Sequence, residues 1–206
     1  TYFRQSFTFW VAFLLWSGEM ESIILGRHFK HKHMCLLYGS DKDLIKLVVS
    51  YFREGLERDK FCVWAVPESL GLKEAQQALS EGIEGLKEYI DRGQLRLFEA
   101  KSVYNKSGRF VRAEVLDGWA KLAEEALNLG FDGIRASGDA SFLPQEEKDE
   151  LLHYEKEVDK VIRESKVEVL CTYPMHKTDL NEMFILSTCH GITFSNKNGR
   201  LEIITG

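Results

Sequence analysis

From His33 onward, short apolar runs alternate with amphipathic stretches of helical length, a pattern that builds a sheet with crossover helices. Met34 to Tyr38 (MCLLY), Phe61 to Val66 (FCVWAV), Leu95 to Glu99, Gly133 to Ala136 and Val167 to Tyr173 (VEVLCTY) read as strands. Leu44, Leu47, Val48, Tyr51 and Phe52 recur at helical spacing and predict a helix from Asp41 to Arg58, capped by Ser40 or Asp41. After Pro67, Leu70 to Ile90 reads as one interrupted helix or two short ones. Val103 to Arg109 is a polar connection into a helix from Arg112 to Asn128, with Val115, Trp119, Leu122, Ala123 and Ala126 on one face and Gly130 placed to end it. The loop Ser137 to Phe142 precedes a long helix from Pro144 to Glu164, whose charged run reads as a solvated face. A shorter helix, Leu180 to Thr188, leads to two strands, Ile192 to Ser195 and Leu201 to Ile204. The Asn198-Gly199 pair between them is a hairpin turn signal. The predicted class is α/β, a mostly parallel central sheet with a C-terminal antiparallel hairpin at its edge.

Composition narrows the function. The 206 residues are 44% hydrophobic and 29% charged, with 3 Pro and 16 Gly, which excludes global disorder and predicts one domain with a real core. A formal charge of −5 supplies no field for phosphates, so no direct nucleic-acid partner is expected. Cys35, Cys62, Cys171 and Cys189 are widely spaced and contain no C-x-x-C pair, which points to reduced, buried thiols and a cytoplasmic location. Phe7 to Trp16 (FTFWVAFLLW) is too short to span a bilayer, which takes about 20 apolar residues, so no transmembrane segment is predicted. It packs on the domain's own surface, contacts a second subunit in a dimer, or lies peripheral to the domain; the second is favoured because four aromatics in ten residues would otherwise be an adhesive patch. The expected division is residues 1–20 outside the domain and 21–206 within it.

The first strand-turn-helix, Tyr38-Gly39-Ser40-Asp41-Lys42-Asp43, occupies the place where many α/β proteins bind phosphate. It has one glycine, a displaced lysine, and Asp43 where a magnesium-binding hydroxyl would sit. Asp41 and Asp43 would occupy the positive helix end and repel a triphosphate. ATP hydrolysis at this turn is therefore not expected.

Four stretches, H-x-C-L-L-Y (His33 to Tyr38), G-F-D-G-I-R-A-S-G-D-A-S-F-L (Gly130 to Leu143), L-L-H-Y-E (Leu151 to Glu155) and V-L-C-T-Y-P (Val169 to Pro174), occur in an order and spacing that resemble the MEDS domain. That domain is the sensory module of methanogen and methylotroph regulators and of the dichloromethane-responsive repressor. The resemblance runs from Gly26 to Ile204. It implies a three-layer α/β/α, RecA-like core similar to the circadian-clock ATPase KaiC, with a degraded phosphate loop. It further implies a non-enzymatic sensory role for a small, hydrocarbon-derived organic ligand, beside a histidine kinase or transcription regulator. No output domain fits within these residues, so output passes to a separate partner or a second copy, or the chain is a fragment. The alternative is a RecA/KaiC-like nucleotide-binding protein with residual or no ATPase activity.

In parallel α/β sheets, ligands collect beyond the carboxyl ends of the strands. That rim should gather Tyr38, Gly39, Ser40, Pro67, Glu68, Arg135 to Asp139, and Tyr173 to His176. Arg135 and Asp139 form an ion pair or orient the ligand; Trp64 and Trp119 line the pocket or belong to the core. No cofactor is expected, and no metal. Two metal arrangements can nonetheless be drawn, His31/His33/Cys35 along one strand and Cys171/His176/Cys189/His190 near the last. With no G-x-S-x-G elbow, no catalytic residue is assigned. Glu155 matches a Tyr-Glu pair in KaiC-like chains through the resemblance; it also reads as an ordinary carboxylate on a helix face.

Overall fold

The computed structural model describes residues 22–24, 27–162 and 165–205. The aromatic segment Phe7 to Trp16, and with it the expected subunit contact, lies outside the described residues. A small antiparallel hairpin of β1 (Ser22–Ile24) and β2 (Arg27–Phe29) precedes the main sheet. The sheet then takes β3 (His33–Tyr38), β4 (Phe61–Val66), β5 (Leu95–Glu99), β6 (Ile134–Gly138), β7 (Val167–Pro174), β8 (Ile192–Lys197) and β9 (Arg200–Thr205) in the order β5-β4-β6-β7-β3-β8-β9. Every neighbouring pair is parallel except β8–β9. The expected α/β class with an antiparallel edge is thus present, and the edge is narrower than a whole hairpin because β8 itself runs parallel to β3.

The helices are α1 (Asp41–Glu57), α2 (Leu72–Gly82), α3 (Leu86–Asp91), α4 (Ala100–Tyr104), α5 (Arg112–Asn128), α6 (Gln145–Ile162) and α7 (Leu180–Cys189). Strand alternation sorts the core into two faces. Met34, Leu36 and Tyr38 of β3 pack with Leu44, Leu47, Val48, Tyr51 and Phe52 of α1 and with Trp64 of β4. Cys35 and Leu37 face the other way, onto Leu151, Tyr154 and Val158 of α6 and Leu186 of α7. Burying one apolar face of each helix on opposite sides of the sheet produces the three layers.

Two elements differ from the sequence reading. β6 runs on to Gly138, two residues beyond the expected end, because pairing with β4 and β7 continues through the polar Ser137, whose hydroxyl donates to the Leu170 carbonyl at 3.0 Å. The short helix α4 opens the Val103 connection and lacks the length that would give a periodic signal. No described helix is long and apolar enough to cross a membrane.

Candidate functional site

The turn after β3 holds the helix start through its own side chains. Ser40 caps α1, its hydroxyl accepting from Asp43 N at 3.3 Å and donating to Asp43 Oδ2 at 2.8 Å. Asp43 is held in turn by the β8–β9 turn: Gly199 N donates to Oδ1 at 2.7 Å and Asn198 N to Oδ2 at 3.3 Å. Asn198 and Gly199 both have positive φ, 55° and 74°, the geometry of a tight two-residue hairpin, and their amides are aimed at the carboxylate. Asn196 completes the lock, donating from Nδ2 to the Asp43 carbonyl at 2.7 Å and accepting Gly39 N on its own carbonyl at 2.9 Å. Burial opposes ionisation of Asp43, but the Ser40 hydroxyl and the Gly199 and Asn198 amides outweigh it and hold its pKa below the ordinary value. A carboxylate of the chain and an edge turn thus take up the polar groups that a phosphate would need at this position.

The remaining rim candidates separate. Tyr38 donates to Asp139 Oδ2 at 2.7 Å, and Ser141 N donates to Asp139 Oδ1 at 2.8 Å, so these residues meet at the carboxyl ends of β3 and β6 and close on one another. Burial raises the pKa of Asp139 despite the Ser141 and Tyr38 hydrogen bonds. Glu68 and His176 are exposed. Trp64 is fully buried against Phe52, a core residue away from the rim.

Arg135 corrects the sequence reading. It lies near the start of β6 with its side chain on the α1 face, is 0% exposed, and does not pair with Asp139. Its guanidinium binds Glu168 and Glu54, donates to the Tyr51 carbonyl at 2.9 Å and sits 4.6 Å over the Tyr51 ring. The period-2 alternation of β6 explains the error: Arg135 and Ser137 point to one face, and only residues past the strand end reach the rim.

Two hollows lie on the α5–α7 side of the sheet. A narrow cleft of about 20 Å³, bordered by Ser141, Leu152, Tyr173, Thr178 and Leu186, has room for about one water. A larger open groove of about 340 Å³ runs along α5 between that helix and the β5–α4 segment, reaching Glu125, which binds Arg96 of β5. Phe98, Val103, Val115, Trp119 and Leu122 give it an apolar wall, and Lys106, Lys121 and Glu125 supply charge. Trp119 lines this groove, which includes none of the rim residues expected to share a pocket with it.

Beneath Tyr173 lies a buried polar cluster that joins one member of the first metal arrangement drawn from sequence, two of the second, and Glu155, which was in neither. His33 at the start of β3, Cys171 within β7, His190 just past α7 and Glu155 in the middle of α6 each direct one ligand-type atom inward, and all four atoms lie within 4.8 Å of one another. Glu155 Oε2 is 3.1 Å from His33 Nε2, 3.3 Å from His190 Nε2 and 3.3 Å from Cys171 Sγ. Cys171 Sγ is 3.5 Å from His33 Nε2. Tyr173 donates to the other carboxylate oxygen, Oε1, at 2.5 Å. Burial pushes Glu155 toward its neutral form, but the ring nitrogens of His190 and His33 outweigh it and hold the carboxyl well below its usual range. Burial and then His190 push the His33 pKa down, and burial and then Glu155 push the Cys171 thiol up. Cys35 and Cys189 are buried nearby but outside the four converging groups, and His176 is exposed.

Glu155 is the member that carried a sequence signal of its own. Leu151, Tyr154, Val158 and Ile162 form the buried stripe of α6, and Glu155 falls inside that stripe, a carboxylate where helical spacing calls for an apolar residue.

No curated protein sequence matches the chain. Among solved structures, it is similar to the flagellar accessory protein FlaH from Methanocaldococcus jannaschii, with 12% identity over 85% of this chain and 79% of that chain and a TM-score of 0.50. It is also similar to the KaiC-like protein PH0186 from Pyrococcus horikoshii OT3, with 12% identity over 88% and 82% of the two chains and a TM-score of 0.57. These likenesses establish a RecA/KaiC-like fold. The model of the MEDS domain, the methanogen/methylotroph, DcmR sensory domain, matches residues 32–191, and the chain belongs to that sensory family.

Proposed function

We propose that this chain is a non-enzymatic sensory domain that binds a small organic ligand in the groove between α5 and β5 and passes its occupancy to a regulatory partner. The observation that carries the reading is the groove itself. At about 340 Å³ it falls within the range of small-molecule sites, and it combines an apolar wall around Trp119 with a few charged groups, the mixture that such sites use. A ligand shifts contacts only through its different affinity for two states, so the groove needs an output surface that responds. Helix α7 is suited to be that surface, because Leu186 packs into the core while Leu180 and Phe184 are 85% and 68% exposed and available to a regulator or a second copy.

The nucleotide-binding alternative is opposed by the turn after β3, where Asp43 and the Asn198-Gly199 amides satisfy one another. Titration with magnesium-ATP should show no submillimolar binding.

The direct test is a thermal-shift screen with one-carbon and short hydrocarbon derivatives, repeated on Gly118→Leu. Residue 118 lines the groove from the middle of α5, and leucine is the better helix former, so this variant fills the hollow without weakening the helix. Stabilisation of the wild type that disappears in Gly118→Leu supports the reading. An unchanged response in the variant, or no response from any compound in the wild type, contradicts it.

A further inference from the structure

We infer that His33, His190, Cys171 and Glu155 form a four-coordinate site for a divalent transition-metal ion, zinc being the ion whose ligand preferences match best. The inference is independent of the groove and of any ligand it binds.

The first argument is the spacing. Zinc bonds of about 2.0 to 2.1 Å from nitrogen or oxygen and about 2.3 Å from sulfur, set at tetrahedral angles, place ligand atoms roughly 3.3 to 3.6 Å apart. The separations here are 3.1 and 3.3 Å from Glu155 Oε2 to the two imidazole nitrogens, 3.3 Å to the sulfur, and 3.5 Å from the sulfur to His33 Nε2. Four of the six edges of such a tetrahedron are thus matched to within a few tenths of an ångström, and the two from His190 Nε2 to His33 and Cys171 lie within 4.8 Å, so binding an ion draws His190 inward.

The second argument is hydrogen-bond accounting. His190 Nδ1 lies 2.7 Å from the Leu186 carbonyl, which can only accept, so Nδ1 carries a proton. In neutral His190 the lone pair is then on Nε2, which is buried, lacks a hydrogen-bond partner, and lies 3.3 Å from a carboxylate oxygen. A lone pair facing a carboxylate is repulsive unless a cation lies between them. A second proton on His190 would be that cation, but it would place an imidazolium 4.0 Å, centroid to centroid, from the His33 ring, and Nε2 is not aligned to donate. A metal ion satisfies all four groups at once.

The surroundings are those of a ligating set. Imidazole ligands hold their second nitrogen on a carbonyl or a carboxylate. His190 does so on Leu186, whereas His33 Nδ1 makes no hydrogen bond and faces Asp159 Oδ1 at 3.7 Å. Tyr173 occupies Glu155 Oε1, which leaves Oε2 for single-oxygen coordination. The charge also closes. On binding, the Cys171 thiol gives its proton to solvent, and one thiolate, one carboxylate and two neutral imidazoles around a doubly charged ion sum to zero, the state that burial favours. The mixed nitrogen, sulfur and oxygen set suits zinc over magnesium or calcium, which prefer oxygen alone.

The test is metal analysis of untagged full-length protein, followed by cobalt substitution. The expected result is close to one equivalent of zinc and, with cobalt, the visible bands of a tetrahedral ion together with a sulfur-to-metal charge-transfer band. Cys171→Ser, nearly isosteric, should lose the charge-transfer band; His190→Ala should lose at least tenfold in zinc affinity; and His153→Ala, on the exposed side of α6, should match the wild type. Folding of each variant is followed by circular dichroism, and cobalt spectra are recorded only on folded protein. Failure of wild-type protein to bind zinc or cobalt near one equivalent, or a charge-transfer band that persists in folded Cys171→Ser, overturns the inference.

Discussion

Two buried polar clusters sit on opposite faces of the same sheet, and they differ in how their charges are balanced. On the α1 face, Arg135 meets Glu168 and Glu54, and Glu54 is also bound by Arg58 at 2.6 Å. Two guanidiniums oppose two carboxylates. On the α6 face, Glu155 is surrounded by His33, His190 and Cys171, none of which is a fixed cation. The first cluster carries fixed cations of its own; the second holds none and, on the inference above, takes its positive charge from a metal ion. Burial and ionisable character alone do not separate a structural network from a binding site. The source of the balancing positive charge does.

The largest effect should come from breaking the Arg135 cluster. Arg135→Ala removes the buried guanidinium that Glu168 and Glu54 bind and should cost about 3 to 5 kcal/mol in chemical denaturation. If the cost is under about 1 kcal/mol, that network is not the ion-paired unit described. Metal removal should come next. Chelation should lower the thermal midpoint of the wild type by an amount corresponding to about 2.7 kcal/mol for free metal at 100 times its dissociation constant, and should leave metal-free Cys171→Ser unchanged.

Gly55→Ala probes the packing against Arg135. A Cβ there would lie 2.7 Å from Arg135 Cδ and 3.0 Å from Cys62 Sγ, and the crowding should cost about 1 to 3 kcal/mol without altering metal content. Asp43→Asn should have the smallest effect, about 1 to 2 kcal/mol at pH 7, from weakened charge-assisted bonds to the hairpin turn. Because the folded pKa of Asp43 lies below its unfolded value of about 3.9, its contribution is full above that value and is lost as pH falls through the folded pKa. Thermal midpoints of wild type and variant measured from pH 7 to pH 3 should therefore converge on the acid side.

Much of the architecture is legible in the residues because it depends on local periodicity. The alternation in MCLLY and FCVWAV and the helical spacing of Leu44, Leu47, Val48 and Tyr51 each report a face that must be buried. The Asn198-Gly199 turn is local in the same way. What was not legible depends on register between distant strands. His33 pairs with Val169 across β3 and β7, so Cys171, two residues on, projects from the same face as His33, although 138 positions separate the two in sequence. Spacing along the chain therefore divided one cluster between two candidate sets. Arg135 lies within β6 in the expected and the observed strand alike, so its side chain follows the alternation of the strand onto the α1 face and does not reach the rim.

The most direct measurement is the zinc K-edge X-ray absorption spectrum of the zinc-loaded protein, which reads the atoms around the ion. One sulfur at about 2.3 Å with three nitrogen or oxygen neighbours at about 2.0 to 2.1 Å is the predicted shell. A shell without sulfur, or six oxygen neighbours of a hydrated surface ion, would contradict the assignment of His33, Glu155, Cys171 and His190 as its ligands.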